Sequence, residues 1–125
     1  MKREIKTQQA PAAIGPYSQA IEANGTLYIS GQIPVDPHTG KLVEGGITEQ
    51  TEQVMQNINA ILQAAGYSFS SVVKSTCFLS TMDHFAEMNR VYSKYYPSVP
   101  PARAAFSVNQ LPLGALIEIE TIAVK

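Results

Sequence analysis

The chain has 125 residues, of which 45% are hydrophobic and 15% charged, with a net charge of −1. That length makes one domain, residues 1–125, with enough interior to fold without covalent staples. The near-neutral balance leaves no electrostatic footprint for nucleic acid, and no apolar run reaches the roughly 18 residues of a membrane-spanning helix. The charged share also falls below the usual quarter, which points to surface covered by other subunits.

Arg3 to Thr7 reads as a short edge strand. Ser18 to Ala23 and Thr26 to Ser30 flank Asn24-Gly25, a pair that tolerates positive φ in a type I′ turn, so the spacing predicts a hairpin. Ser30-Gly31-Gln32-Ile33-Pro34 then leaves the strand, and Asp36-Pro37-His38-Thr39-Gly40 is a turn. From Thr48 to Ala65, the spacing of Val54, Ile58, Ile61, Leu62 and Ala65 predicts a helix with one apolar face. Thr48 is its expected N-cap and Gly66 its C-terminal stop. Val72 to Leu79 is a β-branched strand with Val73, Ser75, Cys77 and Leu79 on one side. A second helix is expected from about Asp83 to Tyr95, with Phe85, Met88, Tyr92 and Tyr95 inward and Asn89 at the margin of that stripe. Pro100-Pro101 forces extended backbone into Arg103 to Val108. After the turn at Leu111-Pro112-Leu113-Gly114, Leu116 to Val124 is the last strand.

The order β-β-β-α-β-α-β-β implies an α+β two-layer domain, a sheet covered by two helices. In the last strand Glu118, Glu120, Ile122 and Val124 share one face, while Ile117, Ile119, Thr121 and Ala123 share the other. Both faces are largely apolar, so both are expected to be covered, one by the helices and the other by a sheet from neighbouring subunits.

Few residues carry obvious chemistry. Cys77 is the lone cysteine, so no disulfide framework exists, and a reducing compartment such as the cytoplasm is expected. The N-terminal Met1 to Thr7 has no apolar stretch of a secretory signal behind it. His38 and His84 lack metal-site spacing. Arg103, one of three arginines, stands in the apolar run Ala102-Arg103-Ala104-Ala105-Phe106, and a guanidinium there needs an anionic partner. With the carboxylates of the last strand it makes either a structural ion pair or a clamp that grips a small acid beside a carboxylate able to orient water. Tyr17 and Asn89 taken alone read as packing or solvated residues.

Four separated blocks decide between these. Ala10-Pro11-Ala12-Ala13-Ile14-Gly15-Pro16-Tyr17-Ser18-Gln19, Ser30-Gly31-Gln32-Ile33-Pro34, Pro101-Ala102-Arg103 and Ile117-Glu118-Ile119-Glu120-Thr121-Ile122-Ala123-Val124 resemble, in order and spacing, the Rid/YjgF family, nearest its reactive intermediate (imine) deaminase A branch. The resemblance spans Ala10 to Lys125. It implies a chorismate-mutase-like fold in a homotrimer, with the three sheets lining a central barrel and small carboxylic acids bound in clefts between subunits. It implies hydrolysis of 2-imino or 2-enamino acids, released by pyridoxal-phosphate enzymes such as threonine dehydratase, to 2-keto acids and ammonia. No metal and no organic cofactor is implied, and neither nucleic acid nor membrane is an expected partner.

By the same resemblance, Arg103 binds the substrate carboxylate and Glu118 positions the attacking water. Tyr17, Ser30, Gly31 and Asn89 line the substrate cleft, and Glu120 is structural. The chain departs from the commonest pattern at Ala104-Ala105, where many relatives carry Ser-Cys, which bears on substrate preference. Two rival readings are a non-catalytic keto-acid sensor, since family members are linked to purine and isoleucine pathways, and an RNA-cleaving translation inhibitor.

Overall fold

The computed structural model describes Met1–Lys125 throughout. Six strands, β1 (Arg3–Ile5), β2 (Ala20–Ala23), β3 (Thr26–Gln32), β4 (Val72–Leu79), β5 (Ala102–Ser107) and β6 (Ile117–Val124), form one sheet in the order β1-β2-β3-β6-β4-β5. The helices α1 (Ile47–Ala65) and α2 (Phe85–Ser93) complete the expected α+β order. Every strand pairing is antiparallel except β4 with β5. That one parallel pair follows from α2, which serves as the crossover carrying the chain back to the starting end of β4.

Local chemistry fixes the elements. Asn24 and Gly25 have φ of 52° and 75°, the left-handed pair that a tight hairpin requires. α1 starts differently from expectation. Gly46 occupies the N-cap, and Glu49 folds back so that its Oε1 accepts the Gly46 N–H at 2.8 Å. Thr48 instead donates its hydroxyl to Glu87 of α2 at 3.0 Å, joining the two helices. At the other end Gly66 takes φ 81°, and its N–H donates to the Gln63 carbonyl while that of Tyr67 donates to Leu62.

The core lies between one sheet face and the helices. Leu27, Leu79, Ile117 and Ile119 from the sheet meet Val54, Met55, Ile58, Ile61, Leu62 and Met88, all fully buried. Each such side chain contributes about 1.5–3 kcal/mol of hydrophobic stabilisation. Val91 and Tyr92 join Met88 inside, whereas Phe85 and Tyr95 are only half-buried. The expected inner stripe of α2 is therefore rotated slightly toward Val91.

Two irregularities depart from simple alternation. Val73, expected on the same side as Ser75, is exposed while Ser75 is buried, because the β4–β6 register shifts between Val72 and Lys74. β3 does not end at Ser30. It runs to Gln32 through a second register shift against β6, between Ile29 and Gln32. The other sheet face, carrying Phe78, Phe106, Glu118, Glu120 and Ile122, is bare in the single chain. Phe78 and Phe106 pack edge to face there at 5.4 Å, and Tyr28, Phe106 and Val124 are each about half exposed.

Candidate active site

Arg103 sits on β5, level with Ser75 of β4, and Ser75 is fully buried under the helices. Its side chain accordingly points to the helical side. There its guanidinium carbon lies 5.4 Å from the ring centre of Phe85 and 5.1 Å from that of Tyr92, and Nη1 donates to Asn89 Oδ1 at 2.7 Å. Phe85, Asn89 and Tyr92 are spaced i, i+4, i+7, so one stripe of α2 provides all three contacts. No carboxylate pairs with Arg103. The ion pairs of the chain are Arg3–Glu22, Arg90–Glu87 and Lys94–Glu52. A hollow of about 470 Å³ opens beside the guanidinium, lined by Asn89, Tyr92, Tyr96, Pro100 and Pro101. Burial pushes the nearby Cys77 thiol up to about 11 despite the neighbouring positive charge, so at neutral pH it is a protonated core group.

Glu118 lies elsewhere. On β6 it is level with Phe78, three residues along β4 from Ser75, so it leaves the sheet on the bare face. Its carboxyl leans over Gly31. A Cβ at that glycine would run into Glu118 Oε2 and stand 2.9 Å from Cδ. The Glu118 side chain can lie across β3 here because glycine leaves that place empty. Burial first, and Glu120 second, raise the Glu118 carboxyl above its ordinary range.

Tyr17 is half exposed. With Ile14, Gly31, Ile33 and Leu113 it lines a hollow of about 240 Å³. Ser30 ties this loop down. Its hydroxyl donates to the Ser18 carbonyl at 2.6 Å, and its N–H donates to the Gln19 carbonyl at 3.0 Å. Gln19, to which the sequence assigned no role, is the buried fastener of the lead-in. Its amide donates to the carbonyls of Thr7, Ala10 and Pro11, and its Oε1 accepts the Thr7 N–H. A glutamine just before an apolar strand, after a proline-rich lead-in, is the signal that marks it. The sequence marks Phe85 and Tyr92 as core, and their spacing with Asn89 puts all three on one stripe.

The residues singled out from the sequence thus form two groups within one chain. Arg103 and Asn89 sit on the helical side at β5. Glu118, Gly31, Ser30 and Tyr17 gather around β3 and β6, two strands away. No three His, Cys, Asp or Glu side chains cluster as a metal ion would need, and no helix is long and apolar enough to cross a membrane.

The endoribonuclease L-PSP family model matches residues 7–125. The chain belongs to that family, the Rid proteins. This Rid chain is 55% identical to a RutC family protein of Pyrococcus horikoshii, over 100% of this chain and 99% of the relative. It is 48% identical to the 2-iminobutanoate/2-iminopropanoate deaminase of Mus musculus, over 100% of this chain and 93% of that one. YyfA, a Rid-family protein of Yersinia pestis, superposes with a TM-score of 0.98 at 48% identity, covering 100% of both chains. The two-layer fold expected of a Rid protein is therefore the fold observed.

Proposed function

We propose that this chain is a hydrolase of C=N bonds that converts 2-iminobutanoate, 2-iminopropanoate and their enamine tautomers to the 2-keto acid and ammonia. The observation that carries the reading is an arginine fork held in a hollow with no carboxylate of its own chain, in a sequence nearly half identical end to end to a deaminase of these imines. Arg103 binds the substrate carboxylate through paired N–H donors. The imine carbon is already electrophilic, so the remaining task is to place one water and move protons. Water oxygen bonds to C2 while Glu118 takes its proton. The nitrogen, protonated in turn, leaves as ammonia, and the C2 oxygen becomes the keto group. An enamine first gains a proton at C3.

Within one chain Arg103 and Glu118 face opposite sides of the sheet, which supports a cleft assembled from two protomers. The bare, partly aromatic sheet face supports a homotrimer whose sheets cover one another, with Tyr17, Ser30, Gly31 and Asn89 lining the intersubunit cleft. The chain's single thiol, buried and free, suits a cytoplasmic setting. No nucleic-acid partner is proposed, because a net charge of −1 provides no phosphate track.

The test is ammonia and keto-acid release from imines generated in situ, trapped with semicarbazide, for the native chain and Arg103→Ala. The reading expects turnover by the native chain and its loss, with assembly unchanged, in the variant. Binding without turnover would convert the chain into a keto-acid sensor, and specific RNA cleavage in its place would make it a nuclease. Either result sinks the deaminase reading.

A further inference from the structure

The Arg103 side chain makes a single hydrogen bond, and its partner is uncharged. Asn89 Oδ1 accepts from Nη1 at 2.7 Å, while Phe85 and Tyr92 stack against the guanidinium. Guanidinium carries five N–H donors, so most of the fork stays open toward the 470 Å³ hollow that both Asn89 and Arg103 line. Glu87 of α2 and Glu52 of α1 are engaged elsewhere. Glu87 accepts from Thr48 and Arg90, and Glu52 pairs with Lys94 and accepts from the Tyr95 hydroxyl.

We propose that Asn89 is a positioning residue for the carboxylate anchor. Its neutral carbonyl fixes one corner of the Arg103 fork without spending the positive charge, which therefore remains available to the acid group of the ligand. An aspartate at this place would fix the fork equally well in geometry, but it would form an internal charge-assisted pair and compete with the ligand for the same donors. An alanine would leave the charge available and release the fork to move, held only by the faces of Phe85 and Tyr92, which attract a cation without fixing its rotation. Asn89 thus selects for an anionic ligand through Arg103 rather than by touching the reacting atoms. This inference rests on the proposed carboxylate-binding role of Arg103 and deepens it.

The experiment compares two stable probes of one shape, 2-oxobutanoate and 2-oxobutanamide, by calorimetry on the native chain, Asn89→Asp and Asn89→Ala. The native chain should prefer the acid by at least about tenfold, as expected for a charge-assisted fork. Asn89→Asp should bring that preference to about one by weakening the acid alone, and it should raise KM for the imine with kcat little changed. Asn89→Ala should weaken the acid a few-fold and so reduce the preference without abolishing it. If Asn89→Asp weakens both probes equally, or leaves the preference at its native value, the positioning role is wrong and Asn89 is a packing residue. If the native chain binds neither probe, the anchor itself fails and this inference goes with it. Ammonia release is scored separately. Native acid preference without turnover would overturn the deaminase reading and leave the role of Asn89 standing.

Discussion

Arg103 and Glu118 leave the sheet on opposite faces, with β4 lying between their strands. A rigid sheet cannot bring them to one small molecule within a chain, because the core packed on the helical side closes the way around. Two copies can do so, if the helical side of one protomer at β5 meets the bare face of the next at β6.

Mixing inactive variants tests that arrangement. Arg103→Ala and Glu118→Gln should each be inactive alone. Unfolded together and refolded as mixed assemblies, they should regain about a quarter of native turnover, the share of two-copy clefts that randomly draw both intact residues from adjacent copies. Ammonia release at a one-to-one mixture is the measurement. No recovery would place both groups in one chain's site.

Gly31→Ala should lower kcat/KM by about 10- to 100-fold, because the added methyl displaces the Glu118 carboxyl and a displacement of about 1 Å costs that much in an oriented reaction. Melting temperature should change little, since the group displaced is the far end of a flexible side chain. Steady-state kinetics alongside a thermal melt separates the two effects.

The raised Glu118 carboxyl sets a pH dependence. A carboxyl that holds its proton more tightly folded than unfolded favours the fold at low pH. It costs stability once pH rises past its folded value, where the ionised form is the less well solvated. Activity should run the other way, with kcat/KM falling on the acid side as Glu118 is protonated. Glu120→Gln removes the smaller of the two causes, so the midpoint of the acid limb should move down in pH without vanishing. Glu118→Gln should abolish the limb together with the activity, and it should raise the melting temperature at neutral pH. Titrating activity and melting temperature across the same pH range checks both signs.

Asn57 on α1 is almost wholly buried. Its amide donates to the carbonyls of Ile33 at 3.2 Å and Val35 at 3.0 Å, pinning the segment that leaves β3 beside the Tyr17 hollow. Asn57→Leu should cost about 1–3 kcal/mol, the penalty of leaving buried acceptors unpaired. Chemical denaturation would show the loss. The α1 helix should persist, since Ile58, Ile61 and Leu62 still hold its apolar face.

Much of this was legible in the sequence wherever the governing interaction is local. Asn24-Gly25 announced the hairpin because few other pairs accept that backbone. The spacing from Val54 to Ala65 announced α1, and Gly66 its end. The structure departs from the local pattern where a distant partner decides. Thr48 looked like a cap, yet Glu87 of α2 takes its hydroxyl, and Glu49 closes the turn from Gly46. Val73 alternated correctly on paper, but a register shift against β6 turned it outward. Arg103 and Glu118 were picked out by type and by family motif. Their opposite faces could not be read, because that depends on β5 running parallel to β4 and on β6 lying between β3 and β4. No residue pattern within a strand records those pairings.

The divided placement of the fork and the carboxyl also has a kinetic signature. An isolated protomer would hold only half a reaction centre, so catalysis would depend on encounter between copies as well as on encounter with substrate. Dilution should then depress activity per milligram well before any chain unfolds, and a ligand that bridges both halves should slow dissociation of the assembly.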